Sequence, residues 1–282
     1  MVNRIFTKLR DLICHMGLSV TKCVTMNRLI ETERRYEQLS SNIDFLKYLK
    51  QDKLPDSLAA IRDVKSQIQQ DLFVLLANGF KKNGYFVDFG GTDGVSINNS
   101  WILENKYGWD GIVAEPSKQW HRELSKNRKC HISTKCVWKE SAQSIVFNET
   151  EEAGFSTINT FSSSDRHAEA RTNGTQYEVE TITLNDLLDT YNAPKVIDYL
   201  SIDTEGSEYE ILSAFDFDRW DISVITVEHN HTAKREEIKM LLESKGFKRV
   251  LMSISQFDDW YVKPKIVDVL KDAFLLEVEE IM

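Results

Sequence analysis

Acidic residues recur where short apolar runs end. Asp88 lies in YFVDF just before the turn GGTDG, Glu115 follows GIVA, Asp203 and Glu205 follow YLSI, and Glu228 and His229 follow VITV. Such runs read as buried strands of a parallel sheet. Ligands of open parallel sheets sit beyond the carboxyl ends of the strands, so these residues are placed to meet one. Glu115 stands 27 residues past Asp88, about the separation at which an acid after the second strand grips ribose hydroxyls. A carboxylate suits that task because it accepts two hydrogen bonds from a vicinal diol at once. Asp88 would repel a phosphate and attract an ammonium group; the alternative is an acid that caps the amides of the turn. Asp203 and His229 could share the removal of a proton, histidine being the usual base near neutral pH. A hydrogen-bonded structural histidine is the other reading of His229. Asp203, Glu205, Glu228 and His229 could also ligate one hard divalent cation such as Mg2+.

Five of the twelve glycines fall between Gly79 and Gly94. A side chain at Gly90, Gly91 or Gly94 would hold the backbone away from a ligand, and would disfavour positive φ. The Gly90–Gly94 spacing is not the Gly-x-Gly-x-x-Gly dinucleotide pattern, and no Lys-Ser or Lys-Thr follows it as in a triphosphate loop. Ser96 is placed to cap a helix over residues 97–106. Strand, glycine turn and helix in that order form the first unit of a nucleotide-binding α/β domain.

The remaining elements must hold these stations together. Residues 1–50 have helical spacing, with Ile5, Phe6, Leu9, Leu12 and Ile13 among basic residues. Such a helix could lie weakly on a membrane surface or pack on a neighbouring domain or subunit. Residues 57–78 read as a helix stopped by Asn78-Gly79. Pro116 would open a helix through Leu124. Cys130–Trp138 supplies a third short strand and a turn, and Val137 and Trp138 are candidates to face a nucleobase, Trp138 being equally suited to the core. Ser144–Asn148 and Glu178–Leu184 alternate as strands. The polar segment 150–175, with Arg166 and His167, reads as a long loop able to act as a lid. Phe247–Ile254 and Asp258–Val262 read as two last strands, the second antiparallel, followed by a helix within 264–282.

The 282-residue chain suits one large α/β domain with an appendage. Its composition, 41% hydrophobic and 28% charged, is that of a soluble globular protein. A net charge of −9 argues against nucleic-acid binding. Cys14, Cys23, Cys130 and Cys136 form no Cys-x-x-Cys pair, so no zinc site is expected, and all four read as free thiols. With no signal-peptide pattern and no run of ~20 apolar residues, a cytoplasmic location is expected.

DFGGTDG paired with the later IDTEGSE resembles the FkbM-type methyltransferases. The Ser66-Gln67 and Gln70-Asp71 cluster and Trp109–Gly111 with AEP are similar to that family too, and the resemblance covers about 64–263. It implies a Rossmann-like class I methyltransferase fold, mostly parallel with its last strand antiparallel, behind a helical N-terminal extension. The expected domains are 1–60, 61–263 and a 264–282 tail. It further implies an S-adenosylmethionine-dependent O-methyltransferase acting on a hydroxyl, often of a sugar or glycan. Asp88, Gly90 and Gly94 would then hold the amino-acid end of the cofactor, with Gly91 and Asp93 also among its binding residues. Glu115 and Pro116 would meet the ribose, and Asp203 would sit near the sulfonium and the nucleophile. The rival readings are a NAD-linked sugar oxidoreductase or epimerase, and a catalytically silent binding module of the same fold.

Overall fold

Every residue of Tyr85–Phe89 is buried, and this strand, β1, lies inside a seven-stranded sheet, one place from its centre. A nearly continuous apolar run forms here because helices cover both faces of a parallel sheet. The computed structural model describes residues 20–150, 154–163, 167–276 and 281. β1 pairs in parallel with β2 (Asp110–Ala114) on one side and β8 (Val196–Ile202) on the other. β3 (His131–Ser133) extends the sheet beyond β2, and β9 (Asp221–Glu228) extends it beyond β8, both in parallel. β11 (Asp258–Val262) joins β9 antiparallel and carries β10 (Lys248–Val250) at the edge. The order β10-β11-β9-β8-β1-β2-β3 matches the expected sheet with its antiparallel finish. The chain winds outward from β1 through β2 and β3, then returns to β8 on the other side. The crevice at that switch point lies between the ends of β1 and β8.

Two expected helices start later than the sequence suggests. After β1, helix α4 spans Trp101–Tyr107 rather than 97–106. Ser96 caps nothing: its N–H and hydroxyl both donate to Asp93, while Thr92 and Ile97 take positive φ. Helix α5 spans His121–Asn127, not the stretch from Pro116. There the Ser117 N–H donates to Glu115 and the Ser117 hydroxyl to Glu149, which fixes a turn instead.

The expected helix at 57–78 is two, α2 (Leu54–Ala60) and α3 (Gln70–Ala77). Asp71 breaks it by taking the N–H groups of Lys65 and Ser66 and the Ser66 hydroxyl, and Gln69 turns left-handed at φ 63°. Asn78 and Gly79 end α3 as expected.

The polar stretch after 150 is folded, not a bare loop. β6 (Thr157–Ile158), a 3-10 turn at Asn159–Phe161 and α6 (Ala168–Arg171) occupy it. β6 joins β5 (Ser144–Glu149), which pairs with β7 (Thr175–Ile182), which pairs with β4 (Cys136–Val137), in a second, four-stranded sheet. Cys136, Phe147, Ile158 and Val179 make its apolar core. β6 is two residues long with both buried, too short to show a period in the sequence. Arg166 lies outside the described residues.

Helices α7 (Leu184–Thr190), α8 (Glu208–Ser213), α9 (Lys234–Ser244) and α10 (Pro264–Ala273) complete the second of two units into which the chain divides after Lys47. In the first unit, α1 runs Val20–Lys47. The apolar residues expected on a membrane-facing helix, Ile5–Ile13, lie outside the described residues. The start and finish of the second unit pair with each other: Lys50 N–H donates to Ala273 O at 2.9 Å, and Leu275 N–H to Tyr48 O at 2.7 Å. No helix among the described residues is long and apolar enough to cross a membrane. Cys130 and Cys136 are free.

Candidate active site

The glycine turn is pressed between its neighbours. A Cβ at Gly90 would overlap the carbonyl of Asp203, and one at Gly91 would overlap Val113. Gly90 and Gly94 take φ of 80° and 81°, where glycine alone is unstrained. Asp88 lies under this turn and is engaged by the protein itself. Its carboxylate accepts the Ser100 hydroxyl at 2.5 Å and the Asn98 amide at 3.2 Å. Burial pushes its pKa up, opposed by the Ser100 hydrogen bond and the Arg128 charge. Arg128, fully buried, pairs with Glu104 and donates to Asn98 at 2.9 Å and Ser100 at 3.0 Å. The turn's shape is therefore set by Asp88, Asn98, Ser100 and Arg128. Asp93 caps Val95 and Ser96 within the turn.

Glu115 stands at the end of β2 as expected. Its two oxygens accept the Thr92 N–H at 2.9 Å and the Ser117 N–H at 2.8 Å. An ionised carboxylate has about four acceptor positions, so two stay open for hydroxyl donors. Burial raises its pKa to about 7, against the pull of those two amides. Cys136 is close enough that, after burial itself, the Glu115 charge helps raise its thiol to about 12. Val137 is buried in the main core beside Ala114 and Ile182. Trp138 is half-buried and stacks edge-on with Phe161, ring centres 5.9 Å apart. It lines an apolar cavity of about 280 Å³ with Ile145 and Ile158 of the small sheet. Pro116 is half-buried beside Glu115.

Across the crevice, Asp203, Glu205 and Glu228 each bring a carboxylate oxygen within 4.8 Å of the others. Burial is the main reason that the Asp203 carboxyl rises to about 7, with nearby carboxylates adding to it. Glu228 is raised well above the usual range by burial and then by Asp203. Asp258 next door rises to about 8 for the same two reasons and accepts the Gln70 amide at 2.9 Å. Glu208 shapes the acidic turn by accepting the N–H groups of Thr204 and Gly206. Glu205, with φ of 59°, binds Arg171 at 2.7 Å, and its carbonyl accepts the Thr157 hydroxyl at 2.8 Å. The segment once expected to be a lid is thus fastened to the acidic turn.

His229 is not gathered with these three. Its Nδ1 accepts the His231 N–H at 3.0 Å, and its Nε2 lies 3.9 Å from Asp259. Burial lowers its pKa to about 4, so it is neutral at pH 7. Asn98, Ser100, Arg128, Arg171 and Asp258 were not foreseen. Gln70, of the Gln70-Asp71 pair, reaches Asp258 beside the cluster. Arg171 carried one sequence signal, a basic residue in a polar segment facing a strongly acidic one.

A parallel sheet with a glycine turn, an acid ending the second strand and an acid across the switch point defines a nucleotide-cofactor α/β enzyme fold. The family model for the methyltransferase FkbM domain matches residues 88–259, and the chain belongs to that family. A search of curated proteins finds no match. Among solved structures, a precorrin-6y C5,15-methyltransferase from Geobacter metallireducens GS-15 is 10% identical with a TM-score of 0.37, covering 71% of this chain and 88% of that one. A Haemonchus contortus phosphoethanolamine N-methyltransferase 2, in complex with S-adenosyl-L-methionine, is 9% identical with a TM-score of 0.32, covering 68% of this chain and 41% of that one.

Proposed function

We propose that this protein is an S-adenosylmethionine-dependent O-methyltransferase whose acceptor is a hydroxyl of a sugar or glycan. The observation that carries the reading is the meeting of the glycine turn, Glu115 and Asp203 at one switch point, within a chain of the FkbM family. When bound, the cofactor supplies an electrophilic methyl group on a sulfonium. The open lone pairs of Glu115 accept the ribose hydroxyls. The glycine turn, held from below by Asp88, lets its backbone approach the amino-acid end.

An alcohol is a poor nucleophile because it holds its proton tightly, so a base must take that proton as the new bond forms. Asp203 is partly exposed at the mouth of the cluster and titrates near neutrality, which suits this role. His229 fits it less well, with its ring turned to Asp259 and His231. The polar face of 154–163, tied to Glu205 through Thr157 and Arg171, is the surface against which a hydroxyl-rich acceptor would rest.

The test is calorimetry of the purified chain with S-adenosylmethionine and with NAD, then mass spectrometry of glycans incubated with labelled methyl donor. Binding of the methyl donor alone and a labelled methyl ether on a sugar are expected. NAD binding in its place would favour the oxidoreductase, and binding of neither would leave a silent module.

A further inference from the structure

Beside Glu228, one of the three carboxylates, lies a small polar cavity of about 10 Å³, lined also by His229, Asn230, Glu208, Gly206 and Thr232. That is room for about one water or one ion. Two buried oxygens on its wall lack any donor: Glu228 Oε2 and Asn230 Oδ1. Glu228 and Asn230 are only 9% and 8% exposed. Buried polar atoms are almost always satisfied, so an orphan calls for a missing partner. Both of these oxygens are acceptors, as are the neighbouring carboxylates; a third unpartnered atom on the wall, His229 Nε2, carries the ring proton because Nδ1 accepts from His231. Asn230 also reaches the cluster directly, its amide nitrogen donating to Glu205 at 3.3 Å. It sits there with φ of 43°, a conformation that costs free energy outside glycine.

We propose that Asp203, Glu228 and the Asn230 side-chain oxygen, with Glu205 beside them, form a binding site for one hard divalent cation of the Mg2+ or Mn2+ type. All the donors are oxygens, which such ions prefer, and the ligand count leaves positions for water or substrate. The ion compensates the carboxylate charge gathered where Asp203, Glu205 and Glu228 meet, beside the Arg171–Glu205 pair. His229 is not a ligand, since its Nδ1 is engaged and its Nε2 faces Asp259. The site itself stands without the methyl-transfer reading. Its role rests on that reading: an acceptor hydroxyl bound to the ion loses its proton more readily, and a free oxygen of Asp203 takes it.

The experiment uses the full chain stripped with chelator and titrated with MnCl2, followed by calorimetry and by the electron paramagnetic resonance of free Mn2+. One Mn2+ per chain is expected, with affinity falling at least tenfold in Glu228→Gln. Asn230→Asp, which adds a charge at the orphan position, is expected to bind Mn2+ more tightly than the unaltered chain. No binding at 1 mM Mn2+ (roughly the weak end of protein cation sites), or two variants indistinguishable from the parent, would overturn the site. S-adenosylmethionine is titrated separately into the same metal-free protein. Donor binding without Mn2+ binding sinks the cation site alone, and Mn2+ binding without donor binding sinks the methyltransferase reading alone.

Discussion

Arg171 Nη2 lies 2.7 Å from Glu205 Oε2, and both side chains are buried. The pair fastens the segment before β7 to the acidic turn after β8. Removing one partner of a buried pair leaves the other charge uncompensated, at a cost of about 3–5 kcal/mol. Arg171→Ala should therefore lower the melting temperature by about 10 °C or more, and speed proteolysis between residues 154 and 171. A shift too small to measure would mean that the pair holds nothing in place.

Gly90→Ala and Gly79→Ala form an informative contrast. Both glycines take positive φ, but a Cβ at Gly79 meets nothing within 4 Å, whereas one at Gly90 runs into Asp203. Gly79→Ala should cost about 1 kcal/mol of stability and leave methyl-donor affinity alone. Gly90→Ala should displace the turn and weaken donor binding at least tenfold by calorimetry. Equal affinities would place the cofactor elsewhere.

Glu115 accepts hydroxyl donors best as a carboxylate, and burial holds its pKa at about 7. Donor affinity should weaken as pH falls through that value. Glu115→Gln should remove the pH dependence and reduce affinity by roughly 10- to 100-fold, the equivalent of one hydrogen bond to a charged group. A pH-independent affinity in the parent protein would contradict a ribose role for this residue.

Asp258 carries a stability signature. Its pKa is raised to about 8 by burial, against about 3.9 in an unfolded chain. Between those values the folded state holds a proton that the unfolded state has released. Its contribution is fully present below about pH 4 and is lost as pH rises toward 8. Thermal denaturation at pH 6 and pH 8.5 should show a smaller drop in Asp258→Asn than in the parent, because the amide never ionises. An equal drop would assign the effect to other carboxyls.

Strands were legible because their apolar runs are continuous and their ends carry acids: β1, β2, β8 and β9 fall where YFVDF, GIVA, YLSI and VITV stand. Helix starts were less so, since side chains of Asp71, Asp93 and Glu115 capture backbone N–H groups and replace a helical turn with a local one. That Asp203, Glu205 and Glu228 come together was legible from the acids that end neighbouring apolar runs. Their buffers were not, because Arg128 and Arg171 reach the site through side-chain length and tertiary approach, which no periodicity records. His229 misled because its place in the chain predicts the strand end but not the direction of its ring.

The backbone pairing of Tyr48–Lys50 with Ala273–Leu275 brings the beginning and end of the second unit to one spot. A short peptide joining Leu275 to Tyr48 would close the stretch between them into a ring, at the cost of the bond from Leu251 N–H to Ile281 O. New ends opened at the exposed Pro194–Lys195 turn would break no strand pairing, and the rearranged chain should still assemble the same cleft.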